Sequence, residues 1–231
     1  MSMSYINKKT KIYIVGEYHP TNLRIMSFFC INSLVKEVES LKDKLLEQLY
    51  LRRKVDTKII EDIYKSIEEL LECERMLLCA EEIREREFEY IDQFTNSLNG
   101  KIVLYLEGNS EVNIDRSEIV ELAKRKNLKL VYLDEGNVRY EKLLDEKGKP
   151  LKKVNEIQVG REDYWIKRIE ETIEDAEYAI AVVGINHVGR DKGDFLRKIY
   201  KKLSPRHRHI GYFDKKLKEK GYDVEVIEIT C

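Results

Sequence analysis

Two tetrapeptides of the form Gly-x-x-His stand far apart in the chain, Gly16-Glu17-Tyr18-His19 and Gly184-Ile185-Asn186-His187. Each follows a short apolar run, where a glycine lets the backbone turn sharply and approach a ligand closely while the histidine is delivered to the turn. Glu107 follows a third such run, in Leu104-Tyr105-Leu106-Glu107, and Asp134 follows a fourth. Two imidazoles and a carboxylate are a common ligand set for a divalent transition metal, with one position left for water. On this reading His19, His187 and Glu107 hold a divalent ion of the Mn, Co or Zn class, and its water becomes a nucleophile near neutral pH. If the first strand stays extended through its motif, Glu17 and His19 point to one side, because strand side chains alternate. Glu17 is then the candidate general base.

These groups work together only if the chain brings them to one edge of a sheet. Five short runs rich in Val, Ile, Leu and Tyr predict strands over 11–15, 101–106, 128–133, 179–183 and 223–229. The middle three are almost continuously apolar, as strands covered on both faces are. Helical patterns over 117–126, 162–174, 192–202 and 213–220 supply right-handed crossovers. The expectation is an α/β fold with a mostly parallel, doubly wound central sheet and flanking helices. In such sheets ligands bind beyond the carboxyl ends of the strands. Four strand exits carry ionisable groups, whereas the segments entering the strands are linkers of lysine, asparagine and glycine.

Between the first two strands, Leu34, Val38, Leu41, Leu45 and Leu49 recur at helical spacing, and Ile60, Ile63, Ile67, Leu70 and Leu77 do so again. This predicts a long helical hairpin, an insertion of about residues 23–95 within a single domain spanning 1–231. Asp56 or Thr57 is the candidate N-cap of its second helix, which runs to about Phe94 because no Gly or Pro intervenes before Gly100. The insertion either packs on its own seam, covers the site as a lid, or serves as the arm of a homodimer.

Composition narrows the function classes. The chain has 231 residues, 42% apolar and 37% charged, with 42 basic against 43 acidic side chains, so it presents no strong field for nucleic acid or a membrane surface. No stretch approaches the roughly 18 apolar residues of a membrane span. The four cysteines, Cys30, Cys73, Cys79 and Cys231, lack zinc-knuckle or redox spacing, and no secretory leader precedes them. A reducing, cytoplasmic location is expected. His207 and His209 fall in a basic stretch read as surface loop, as is 140–154 with its Gly148 and Pro150, and Trp165 is read as core packing.

The paired motifs resemble those of the TraB/Tiki family, within a wider superfamily that includes erythromycin-esterase-like and ChaN-like proteins. That family places an acidic residue at a strand end between its two Gly-x-x-His motifs, here Glu107. It places an arginine at the opening of the helix before the second motif, here Arg161 in Arg161-Glu162-Asp163-Tyr164-Trp165. The segment 215–227 is similar to the family's closing helix and strand. Both ends of the chain are covered, while the hairpin and 190–209 depart from the compact family pattern. The resemblance implies a metal-dependent hydrolase of peptidase or esterase type acting on a small-molecule or peptide substrate. Arg161 would then bind a substrate carboxylate or steady a developing oxyanion through its fixed fork of charged donors. The erythromycin-esterase branch implies hydrolysis without a required metal. The ChaN branch implies the alternative, a non-catalytic ligand-binding or regulatory module. A looser similarity of Leu106-Glu107-Gly108 and Leu133-Asp134-Glu135 to the Toprim pattern lacks that pattern's Asp-x-Asp.

Overall fold

The computed structural model describes residues 10–17, 20–51, 53–110, 116–137, 154–188 and 211–229. The five apolar runs form strands β1 (Lys11–Glu17), β2 (Ile102–Leu106), β3 (Lys129–Tyr132), β4 (Tyr178–Gly184) and β5 (Asp223–Ile229). All pair in parallel, in the order β3-β2-β4-β1-β5. Every residue of β2 is buried, which explains why its sequence shows no alternation. Helices α1 (Pro20–Tyr50) and α2 (Thr57–Ser97) follow β1, α3 (Ser117–Arg125) follows β2, α4 (Val154–Thr172) precedes β4, and α5 (Phe213–Glu219) precedes β5.

By contact the chain divides into two compact units. One comprises Met1–Glu17 with Arg86–Ile229 and carries the sheet; the other comprises Tyr18–Glu85 with Thr230–Cys231 and carries most of the hairpin. In the sheet unit, one face packs Ile12, Ile14, Val103 and Ala181 against Trp165 and Ile169 of α4 and Phe213 of α5. Each Ile, Val or Phe among these, taken fully out of water, contributes roughly 1.5–3 kcal/mol. On the other face Tyr13 meets Phe94, in the final turns of α2, edge to face with ring centres 4.3 Å apart. The end of α2 is fixed by Lys126, whose Nζ donates to the Asp92 carbonyl and to Asn96 Oδ1, each at 2.8 Å. A cation there suits the free carbonyls at a helix end.

The hairpin unit is an antiparallel helix pair. A Cys30–Cys73 disulfide and an Arg24–Glu81 ion pair join α1 to α2, and near the turn Gln48 Oε1 accepts from the Asp56 amide at 2.9 Å. Cysteine spacing had given no sign of that bond, because it joins positions 43 residues apart. Asp56 is the N-cap of α2, its Oδ1 accepting the Lys58 amide at 3.0 Å. Among the described residues no helix is long and apolar enough to cross a membrane.

Two boundaries matter for the site. β1 runs on to Glu17, two residues past the expected end, so the first half of the Gly-x-x-His motif is strand. The arginine expected at a helix start is not at one: α4 opens at Val154, so Arg161 lies two turns inside it, where its side chain faces the sheet and not the N-terminal turn. His19, His207, His209, the helix expected over 192–202 and nearly all of 140–154 lie outside the described residues.

Candidate functional site

Register brings the strand exits together. Glu17 pairs with Gly184 across β1 and β4, and Leu106 pairs with Val182 across β2 and β4 and with Tyr132 across β2 and β3. The residues following these pairs therefore emerge at one edge. There the two motifs touch. β4 leaves the sheet into a single 3-10 turn, Ile185–His187, and a Cβ on Gly16 would lie 2.8 Å from Ile185 Cδ1 and 3.0 Å from Val188 Cγ2. The glycine of the first motif is thus the floor on which the second motif turns.

His187 is 4% exposed and held on three sides. Its Nδ1 lies 2.9 Å from Glu162 Oε1, and the other oxygen of Glu162 accepts the Tyr212 amide at 3.0 Å. The Trp165 ring packs on the imidazole with centres 4.7 Å apart. Behind the turn, a Cβ on Gly211 would fall 2.3–2.4 Å from the His187 backbone, so only glycine lets that segment close over the histidine. With Nδ1 at Glu162, the remaining nitrogen Nε2 faces Glu107 Oε1 at 3.6 Å, beyond hydrogen-bond length. Burial works against a charged ring here, but the Glu107 and Glu162 carboxylates outweigh it, and the His187 pKa is raised.

Glu107 is braced from both sides: its Oε2 accepts the Gly184 amide at 2.5 Å, and its Oε1 lies 2.9 Å from Arg161 Nη2. Arg161 also grips Asp134 with two parallel bonds, Nε to Oδ1 at 2.7 Å and Nη2 to Oδ2 at 2.5 Å, and lies over the Trp165 ring. Asp134 takes two further donors, Trp165 Nε1 at 2.7 Å and the Gly108 amide at 2.8 Å. Arg161 is therefore committed to two strand-exit carboxylates, a positioning arrangement more than an open clamp for substrate. Glu17, 1% exposed, forms an ion pair with Arg116. That guanidinium also donates to the carbonyls of Glu107 and Val182, both at 3.3 Å, and stands 3.7 Å from Glu87. Burial opposes the Arg116 charge and the surrounding carboxylates overcome it, so its pKa is raised further.

Of the residues singled out in the sequence, Glu17, Glu107, Arg161 and His187 meet at one edge, and His19 is outside the described residues. Sequence reasoning missed Glu162, Arg116, Glu87 and Gly211 and undervalued Asp134. Only Glu162 left a trace, as a carboxylate three positions before Trp165 on one helix face. Among the described residues no group of three His, Cys, Asp or Glu side chains is arranged to hold a metal ion. Of the expected ligands, His187 Nε2 and Glu107 Oε1 are neighbours, and that oxygen also pairs with Arg161. Atoms sharing one tetrahedral zinc-class ion, with bonds of about 2.0–2.1 Å, stand about 3.3–3.4 Å apart, and His187 Nε2 and Glu107 Oε1 are close to that at 3.6 Å. A carboxylate on the far ring nitrogen is also the usual support of a ligating histidine.

Fold and site together define an α/β protein with a parallel five-stranded sheet and a buried histidine–carboxylate–arginine cluster at its strand exits. No family model matches the chain, and no curated protein or solved structure does either.

Proposed function

We propose that the chain is a hydrolase of peptidase or esterase type in which His187 moves the proton. The observation that supports this most is the line Glu162–His187–Glu107 at the strand exits, with one imidazole nitrogen fixed by a carboxylate and the other turned to the strand-end glutamate. Neutral His187 takes a proton at Nε2 from water as the water's oxygen bonds to the substrate carbonyl. Glu162 holds the ring's orientation and stabilises the imidazolium that results. The same proton then goes to the leaving nitrogen or oxygen as its bond to the carbonyl carbon breaks. Arg161 keeps Glu107 and Asp134 in place, and Glu17, whose Oε1 is held by Arg116, is a supporting group in this scheme.

The family resemblance implies a metal-dependent form of the same hydrolysis: His187 and Glu107 would hold a divalent ion together with His19, the ion would supply an activated water, and because His187 Nε2 would then be a ligand, Glu17 would take the proton in its place. The test is hydrolysis of ester and peptide panels, with elemental analysis, for the wild type, His187→Ala, Glu162→Gln and His19→Ala. Hydrolysis unchanged in His187→Ala overturns the reading. Metal content unchanged in both histidine variants removes the ion while leaving the proton-transfer role standing.

The burial of the whole cluster favours a second reading, a non-catalytic ligand-binding or regulatory module, which predicts no turnover and a thermal shift with the preferred ligand. Near-balanced charge supports small-molecule or peptide substrates over nucleic acid. Cytoplasmic residence belongs to the same proposal, and the Cys30–Cys73 bond weighs against it, since disulfides persist mainly in oxidising compartments. Trapping thiols by alkylation at cell lysis decides the matter: reduced cysteines fit the cytoplasm, a protected pair does not.

A further inference from the structure

The hairpin helices carry two apolar stripes each, and only one is used between them. The inner seam of α1 runs through Ile31, Leu34, Val38, Leu41 and Leu45, spaced alternately three and four apart. That of α2 runs through Ile59, Ile63, Ser66, Leu70 and Cys73. Leu34, Leu41, Ser66 and Cys73 are buried, and the Cys30–Cys73 bond fixes the antiparallel register in which these rows face each other.

A second row stands beside each seam. On α1 it is Phe28, Val35, Leu46 and Leu49, 66%, 42%, 53% and 53% exposed. On α2 it is Ile60, Tyr64, Ile67, Leu71 and Leu78, between 38% and 67% exposed. Each row begins one position after a seam residue, as Val35 follows Leu34 and Ile67 follows Ser66. In an antiparallel pair those flanks lie on the same side, so the two rows merge into one band along the hairpin. The opposite side is charged, with exposed Glu37, Lys44, Lys65 and Glu72.

We propose that this band is the interface of a homodimer, in which two copies bury their hairpin faces against each other as a four-helix bundle. The spacing speaks for helices as the occupant: Ile60, Tyr64, Ile67 and Leu71 repeat the four-three rhythm of the inner seam, which is the pattern that interdigitates with another helix. The area speaks for an interface of dimer size. Large apolar side chains expose roughly 150–200 Å² when free, so these nine present on the order of 800 Å², and a stable interface takes about 800 Å² from each partner. Monomers rarely leave a continuous apolar patch beyond a few hundred Å² in water. The charges that interrupt or border the band, Glu39 and Lys42 on α1 and Glu68, Glu74 and Arg75 on α2, are of both signs, so a second copy of the same face meets no field of one sign. A two-fold axis makes such a face complementary to itself. The proposal is independent of the hydrolase reading.

Sedimentation equilibrium of the full chain at micromolar concentration tests it, beside Ile67→Glu/Leu71→Glu on the band and Lys65→Glu on the charged side, with far-ultraviolet circular dichroism to confirm helix content. The expected result is twice the chain mass of 27.4 kDa for the wild type and for Lys65→Glu, and a folded monomer for the double variant. A wild-type monomer overturns the proposal, whether the band then faces the rest of its own chain or some other partner, and so does a dimer that survives the double substitution. Hydrolysis by Glu162→Gln, measured separately, reports on the site alone.

Discussion

The imidazole of His187 sits between two carboxylates in a place water hardly reaches, so its protonation is the most informative property of the site. Trp165, the one tryptophan of the chain, packs on it and reports that state, because an imidazolium quenches indole emission. Metal-free protein should lose fluorescence as pH falls, with a midpoint above the ordinary histidine value of 6.5. In Glu162→Gln one of the stabilising carboxylates is neutral, so the midpoint moves to lower pH, and hydrolysis drops about 10–100-fold as for other lost orienting partners. An unmoved midpoint would show that Glu162 does not govern the ring. Stability follows the same linkage. A pKa raised in the folded state means that the charged ring contributes fully below pH 6.5, and that its contribution fades as pH rises through the folded value. The stability gap between wild type and His187→Gln in urea melts should therefore be widest below pH 6.5 and narrow above it. A gap that widens with pH contradicts the assignment.

Among the elements, the decisive contact is between β1 and the 3-10 turn after β4. Gly16 makes room for Ile185, so the two motifs form one packing unit. Gly16→Ala should cost about 1–3 kcal/mol, the range for an extra methyl in a filled core, and should disturb the Trp165 pH transition. The obstructing atom is the end of a side chain, Ile185 Cδ1. Ile185→Ala should then restore much of the loss in the double variant, a coupling read from thermal melts of all four proteins. Simple additivity would mean that the motifs do not lean on each other. In the hairpin, the sequence merged two rows into one: Ile63 and Leu70 do face α1, whereas Ile60 and Ile67 are 38% and 42% exposed on the flank. Positions three, four and seven apart share a face loosely, and a helix with two neighbouring apolar rows cannot be divided without knowing where its partner lies.

At the scale of the whole chain, the two units separate a chemical site from a helical arm. All the charged groups of the site lie in the sheet unit, including Glu87 near the end of α2. Cutting both hairpin helices back to facing positions, by replacing residues 38–66 with a short Gly- and Asn-rich turn, should leave the sheet unit folded and the Trp165 titration unchanged. A truncated chain that loses the transition would show that the site depends on the arm.

What the sequence determined was the part governed by local periodicity and by strand ends. Continuous apolar runs specify parallel strands buried on both faces, an uninterrupted helical pattern specifies the hairpin, and the ionisable residues just past the runs are carried to one edge. Glu17, Glu107 and His187 were legible for that reason. Glu162, Arg116, Gly211 and the role of Arg161 were not, because each acts on a partner 25 to 99 residues away, or through a close approach that no spacing encodes. Tertiary structure alone decided which carboxylate holds the imidazole, which arginine braces which acid, and which flank of the hairpin stays open. Those choices depend on how helices lie across a sheet and along each other, and the order of residues constrains that only through the packing of the folded chain.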